Sequence, residues 1–273
     1  RGNGTWTSVC VQRQLSKHED IIMTEFQAAS RVNRIKPSPS SIAAARARDL
    51  KAGGRDIVDL TVGEPDFDTP DNIKTAGIAA INAGDTKYTP VNGTLAFRKA
   101  IQGKFERSLG LAYGNDQICV GGGAKQVIFL ALMASVESGC EVIIPTPYWV
   151  SYPDMVLANN GTPVIVDCYE ENGFKLTAEA LEKAITPNTR WLIINSPSNP
   201  SGAVYTREEL KDLAAVLVRH PHVWVLADEI YNEVLFDVEL QDNLATVEPS
   251  LKDRLFIVNG VSKSYAMTGW RIG

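Results

Sequence analysis

The chain has 273 residues, 44% of them hydrophobic, which is enough to bury one large core with a smaller appendage. Its 27 basic and 32 acidic residues give a formal charge of -5 with no long run of either sign, and the basic patch that a nucleic-acid role demands is absent. No stretch is long and apolar enough to span a membrane, so neither nucleic acid nor membrane is an expected partner.

The first 22 residues, RGNGTWTSVCVQRQLSKHEDII, show little periodicity and lead into Met23. The expectation is that translation begins at Met23 and that residues 1–22 are an extension outside the fold; a genuine arm is the alternative. Residues 38–54, SPSSIAAARARDLKAGG, predict a helix that starts at serines and stops at Gly53 and Gly54. DIVDLTVG, residues 56–63, alternates like a strand. TPDNIKTAGIAAINAG predicts a helix with Pro70 near its first turn and an end around Gly84. Residues 95–110 predict an amphipathic helix with Leu95, Phe97, Ile101 and Phe105 on one stripe.

From Gln117 onward a strand–helix beat sets in: QICV, then GGG and a helix; EVIIP, then the segment around YPDMVLANNG; PVIVDCY, then a helix. It continues with RWLIINSP and its helix, and with the strands VWVLADE and RLFIVNG. Short, almost wholly apolar strands alternating with amphipathic helices predict an α/β fold, a mostly parallel sheet covered on both faces. Such sheets bind ligands outside the carboxyl ends of their strands, so the residues there are the candidates.

Each candidate alone has an ordinary reading beside a functional one. GGGAKQ (residues 121–126) is a glycine turn before a helix, common in itself, but one whose backbone N–H groups suit a phosphate. It is neither a P-loop nor a dinucleotide fingerprint. Trp149 is either core or a cover for a planar ring. Asn199 is either a turn residue or an amide donor. Asp228 ends a run too apolar to carry a charge without a partner, and it could keep a nearby nitrogen base protonated. Tyr231 follows three residues later. Lys263 by itself reads as a loop charge. Together they suit a planar, phosphorylated, cationic-ring aldehyde held through an amine, which is pyridoxal 5'-phosphate (PLP). An ATP site would need a Walker lysine that is missing.

Cys10, Cys119, Cys140 and Cys168 are scattered, and the last three lie in or beside apolar runs, where buried free thiols are expected. His18, His220 and His222 have no metal-site spacing, so no metal is expected. With no export signal visible, the reducing cytoplasm is the expected compartment.

The stretches VGEPDFDTP, KYTPVNG, PYWVSYPDM, NSPSNPSGAVY, ADEIY and NGVSKSYAMTGWRIG closely resemble the class I (fold type I) PLP-dependent aminotransferases. Within these the likeness is to the bacterial aspartate aminotransferase branch that also accepts aromatic or prephenate-type substrates, and it runs from Glu25 to Gly273. The resemblance implies that Lys263 forms the Schiff base, that Arg271 and the turn Gly123, Ala124, Lys125 hold the phosphate, and that Trp149 stacks on the ring. It implies Asp228 at the ring nitrogen and Tyr231 with Asn199 at the ring oxygen. Gly63, Asn199 and Trp149 are expected at the substrate. Tyr88 is expected to reach the phosphate in the neighbouring subunit of a homodimer. Gly260 stands where relatives of other branches carry a hydroxyl, and Ser262 is the expected substitute.

The resemblance also implies residues 23–60 as an arm and partial small domain and residues 61–273 as the PLP-binding large domain, incomplete at its C-terminus. Family members continue well past GWRIG, and the arginine for the substrate α-carboxylate would lie there, so the chain is read as a fragment. The implied reaction is transamination between an L-amino acid, with aspartate favoured, and a 2-oxo acid. A transferase of alanine or aromatic preference, or a PLP-binding chain without turnover, is the alternative.

Overall fold

The computed structural model describes residues 27–236 and 242–273. The expectations for residues 1–22 and for Met23 lie outside the described residues. Five parallel strands form one sheet: β1 (Glu141–Pro145), β2 (Thr162–Val166), β3 (Thr189–Asn195), β4 (Trp224–Asp228) and β5 (Leu255–Val258), in the order β2-β1-β3-β4-β5. Between them run α5 (Ser151–Ala158), α6 (Ala178–Ala184), α7 (Arg207–Arg219) and the short α8 (Leu244–Val247). Before the sheet come α1 (Pro39–Ala52), α2 (Asp71–Asn82), α3 (Leu95–Leu109) and α4 (Ala124–Ser135).

The strands are apolar on both sides because both sides are covered. Ile143, Leu192, Ile194, Val225 and Ala227 face a core completed by Leu181 of α6, Leu213 and Leu217 of α7 and Leu244 of α8. Their neighbours Val142, Ile144, Trp191, Ile193 and Leu226 face a second core with Ile128 and Leu132 of α4 and Tyr152, Met155 and Val156 of α5. The side-chain alternation of a strand thus sorts one continuous apolar run into two cores. The fold is α/β with a parallel sheet and helices on both faces, as expected.

Local signals hold the helices where the sequence puts them. Thr94 caps α3 by accepting from the Phe97 N–H at 3.3 Å, and Gly110 closes it at φ 65°. Thr206 and Glu209 form a capping box on α7. Arg254 donates to the Val223 and Leu217 carbonyls beyond and within the last turn of α7, at 2.6 and 2.9 Å.

Two expected strands are corrected. Residues 56–63 form no strand: Val58 and Leu60 are 86% and 88% exposed, and alternation without a pairing neighbour does not make a ladder. QICV is also not a sheet strand; its first residue ends a 3-10 turn. Beyond it Gly121 exchanges both backbone hydrogen bonds with Gly273, at 2.8 and 3.0 Å, a single antiparallel pair. Pro70 stands beside the first turn of α2, as its N-cap.

Candidate active site

The carboxyl ends of β1, β3, β4 and β5 point to one edge of the sheet, and the site gathers there. Asp228 is the last residue of β4, in register with Asn195 of β3 and Val258 of β5. Alternation continues the side of Leu226, so its carboxyl faces α5. Tyr152, 2% exposed, donates its hydroxyl to Asp228 Oδ2 at 2.6 Å, and the Ile230 N–H donates to Oδ1 at 3.3 Å. The Asn195 amide fixes the Asp228 carbonyl at 2.8 Å. Burial raises the Asp228 pKa above the ordinary carboxylate value, opposed by the Tyr152 and Ile230 hydrogen bonds. Burial, and then Asp228 itself, pushes the Tyr152 phenol well up.

Beyond Asp228 the chain turns, with the Asn232 N–H on the Glu229 carbonyl at 3.0 Å. Tyr231 comes round to meet Asn199, whose Nδ2 donates to the phenol oxygen at 3.3 Å. Asn199 is itself anchored, its N–H donating to Asn195 Oδ1 at 2.7 Å. Burial raises the Tyr231 pKa, the Asn199 hydrogen bond lowers it, and Asp228 raises it.

Lys263 follows β5 on a coiled turn in which Tyr265 N–H reaches the Val261 carbonyl at 3.2 Å and Met267 N–H the Ser262 carbonyl at 3.1 Å. Ser262 is buried beside it. The Lys263 ammonium lies 5.7 Å from the Tyr231 ring centre and donates to the Gly63 carbonyl. Half-burial lowers its pKa, and Glu64 nearby partly restores it. Other bonds tie the same two segments: Thr268 to Glu64, Thr69 Oγ1 to the Ala266 carbonyl at 2.6 Å, and Trp270 Nε1 to Thr69 Oγ1 at 3.2 Å.

Arg271, at φ 57°, donates to the carbonyls of Thr268 and Gly122 at 2.8 and 3.2 Å. Its guanidinium lies against Gly123, the N-cap of α4 at φ 96°; a Cβ there would come within 2.4 Å of Nη2. The backbone conformation therefore favours glycine at position 123, and a side chain there would push the Arg271 guanidinium aside. Trp149, just before α5, meets the Tyr152 ring edge-on at 5.3 Å and 86°. Lys125 of α4 holds its ammonium 4.8 Å from the Trp149 ring centre.

The structure thus brings together Asp228, Tyr231 and Asn199, places Lys263 on Gly63 and over Tyr231, and puts Arg271 on the Gly123–Lys125 turn. Tyr88 stands apart, fully exposed at 107%. Tyr152 was not singled out in the sequence. Its signal was the spacing WVSY, which puts an aromatic hydroxyl one turn after Trp149. Among the described residues no cluster of three or more His, Cys, Asp or Glu could hold a metal, and no helix is long and apolar enough to cross a membrane.

The parallel sheet with helices on both faces is the fold type I architecture of the solved relatives, and the chain belongs to the family described as aminotransferase class I and II, whose model matches residues 55–273. It is 56% identical over 245 residues to a probable aspartate/prephenate aminotransferase of Rickettsia bellii, covering 90% of this chain and 61% of that one. It is 56% identical over 240 residues to the aspartate/prephenate aminotransferase of Cereibacter sphaeroides, covering 88% and 60%. The crystal structure of the aspartate aminotransferase from Rhizobium meliloti superposes with a TM-score of 0.88 at 53% identity, over 91% of this chain and 62% of that one. The Thermus thermophilus aspartate aminotransferase with maleate gives 0.86 at 42%, over 91% and 64%. The chain spans about 60% of the length of the curated relatives it matches.

Proposed function

We propose that this chain carries the cofactor-binding part of a PLP-dependent aminotransferase, acting between an L-amino acid, aspartate foremost, and a 2-oxo acid such as 2-oxoglutarate. The observation that carries the reading is the convergence of Lys263, Asp228, Tyr231 with Asn199, and Arg271 with Gly123 at one edge of the sheet. The names of the relatives support the aspartate preference, and the Thermus relative was solved with maleate, a dicarboxylate. Aromatic amino acids and prephenate remain within the same reading.

The residues fit PLP at three of its ends. Asp228 is buried with only neutral donors upon it, and among the described residues no cationic side chain pairs with it, which suits a protonated ring nitrogen. At the Gly121–Gly123 turn the bare backbone is approached closely by Val127, Gln126 and Arg271, and the Arg271 guanidinium beside it would be a bidentate partner for a phosphate. Lys263 offers an amine whose pKa burial has already lowered.

When bound, PLP supplies an aldehyde that bonds to amines and a protonated ring that accepts electron density. Asp228 would keep the proton on the ring nitrogen, with Tyr152 holding its carboxylate in place. Tyr231 and Asn199 would bond to the ring oxygen and Trp149 would cover the ring face. Ala124, Lys125, Ser262 and Arg271 would complete the phosphate seat. Lys263 Nζ would take the proton from the substrate Cα and deliver it to the carbon that carried the cofactor's aldehyde, an acid–base role its lowered pKa favours. Gly63 and Asn199 would seat the substrate carboxylate.

The same reading makes the protein a cytoplasmic homodimer in which Tyr88 completes the partner's phosphate seat; its full exposure supports that role. It divides the chain into an arm and partial small domain over residues 23–60 and a PLP-binding domain over residues 61–273. In support, α1 buries only Ala44 and Ala47. The test is an absorbance spectrum with PLP, followed by L-aspartate. A visible band lost in Lys263→Ala and converted by aspartate to the pyridoxamine form is expected; no band with PLP overturns the reading.

A further inference from the structure

Behind Asp228 lies a second buried acid that the reaction leaves unused. Glu229 is 5% exposed and Asp228 4%, so two successive carboxyl groups sit inside the protein. Pairing with β5 runs on past the end of β4, the Glu229 N–H donating to the Val258 carbonyl at 2.8 Å. Strand alternation therefore holds through both residues. Asp228 follows Leu226 to the α5 side, and Glu229 follows Ala227 to the side of α7 and α8.

On that side the neighbours are polar. Asn243, the N-cap of α8, has a buried Nδ2 without a full hydrogen bond yet close enough to act on Glu229. Lys104 of α3 supplies a positive charge and is shared with Glu233 at 2.9 Å. Tyr113, from the loop after α3, has a buried hydroxyl without a partner and feels the charges of Glu229 and Asp253. Asp228 is the like charge on Glu229's own strand. Of these, Asn243, Lys104 and Asp228 act on the Glu229 carboxyl, and Lys252 holds its ammonium 5.0 Å from the Tyr113 ring centre. A single shared lysine and a neutral amide are a thin counterweight for a carboxylate taken out of water.

We propose that Glu229 is a positioning residue that tunes the cofactor site through Asp228, its charge setting how tightly the adjoining site holds protons. The inference rests on the PLP reading for its consequence, and on the strand geometry for its origin. Burial, chiefly, pushes the Glu229 pKa up to about 7; Asn243 and Lys104 pull it down and Asp228 raises it. Ionised Glu229 adds negative potential behind Asp228, which favours the protonated forms of nearby nitrogens. Neutral Glu229 withdraws it.

Two measurements on the full chain test this. In the unloaded protein, the side-chain carboxyl carbon of Glu229 is followed by 13C NMR against pH and assigned with Glu229→Gln. It is expected to titrate near neutrality, and Asp228→Asn is expected to lower its midpoint by about 0.5–1 pH unit by removing the like charge. In the PLP-loaded protein, Glu229→Gln is expected to lower the pH midpoint of the visible-band transition by a similar amount. A Glu229 carbon that titrates in the ordinary glutamate range, or ignores Asp228→Asn, overturns the coupling whether or not PLP binds. A carbon titration near neutrality that responds to Asp228→Asn, with an unmoved visible midpoint in Glu229→Gln, overturns the tuning role while leaving the PLP reading intact. If the wild type shows no band at all, the PLP reading fails and the carbon titration alone decides the coupling. Should Glu229→Gln not fold, the Asp228→Asn arm decides, with residue-selective labelling supplying the assignment.

Discussion

The edge of the sheet and the stretch from Val58 to Val91 are held in place in different ways. At the sheet edge every functional group is held by a neighbour: Asp228 by Tyr152, Asn199 by Asn195, Tyr231 by Asn199. In the other stretch Leu60, Tyr88 and Val91 are 88%, 107% and 100% exposed, α2 buries none of its residues, and the segment is tied down by a few bonds to residues 263–270. Geometry at the sheet edge is set by the local core. Geometry in the exposed stretch is set by few contacts, so Gly63 and Tyr88 depend on what they meet.

The sharpest way to break this contrast is at its joint. Lys263→Ala removes the amine that touches both regions, and the half-reaction with aspartate should fall by about 10⁴-fold or more in single-turnover absorbance. Stability separates the regions next. Leu226→Ala, at the centre of the sheet and 0% exposed, should cost about 2–5 kcal/mol in urea unfolding. Leu60→Ser should change the same curve by less than about 0.5 kcal/mol. An equal loss at both positions would erase the distinction. Tyr152→Phe takes one hydroxyl from the Asp228 carboxylate and should weaken PLP binding about 10-fold or more, with little change in the fold seen by circular dichroism.

A smaller effect concerns pH and stability together. Glu229 binds its proton more tightly in the folded state, up to about 7 against the ordinary 4.5. Its contribution is therefore fully present below about 4.5 and is lost as pH rises through about 7. Glu229→Gln should flatten that decline in a urea titration series, by an amount on the order of 1–3 kcal/mol at the alkaline end. Last, mixing Tyr88→Phe subunits with Lys263→Ala subunits should restore one intact site per mixed dimer if Tyr88 serves its neighbour. No recovery beyond the separate variants would place the tyrosine in its own subunit.

The strands were legible because their physics is local: EVIIP, RWLIIN and VWVLAD are apolar at every step, and only a doubly covered sheet uses such runs. The acid at the end of VWVLAD stood out against them for the same reason, whereas the lysine after RLFIVNG reads by itself as a loop charge and took its role only from the set and the resemblance. DIVDLTVG misled because alternation describes a strand only when another strand lies beside it, and pairing is not written in the segment itself. Tyr152 sat in an amphipathic run where an aromatic needs no explanation; only the distance to Asp228 gives its hydroxyl a task. Glu229 was hidden by its neighbour. An apolar strand that ends in two acids needs two partners on opposite faces, and that rule would have found it.

The meeting of Arg271 with Gly122 and Gly123 joins residues 149 positions apart, and Gly121 closes on Gly273 beside it. All five strands lie between those two ends. Contacts of such long sequence separation carry a large loop-closure cost. The proposed anion seat is therefore a seam between the two ends of the segment that carries the sheet, and a ligand captured there would report that those ends have met.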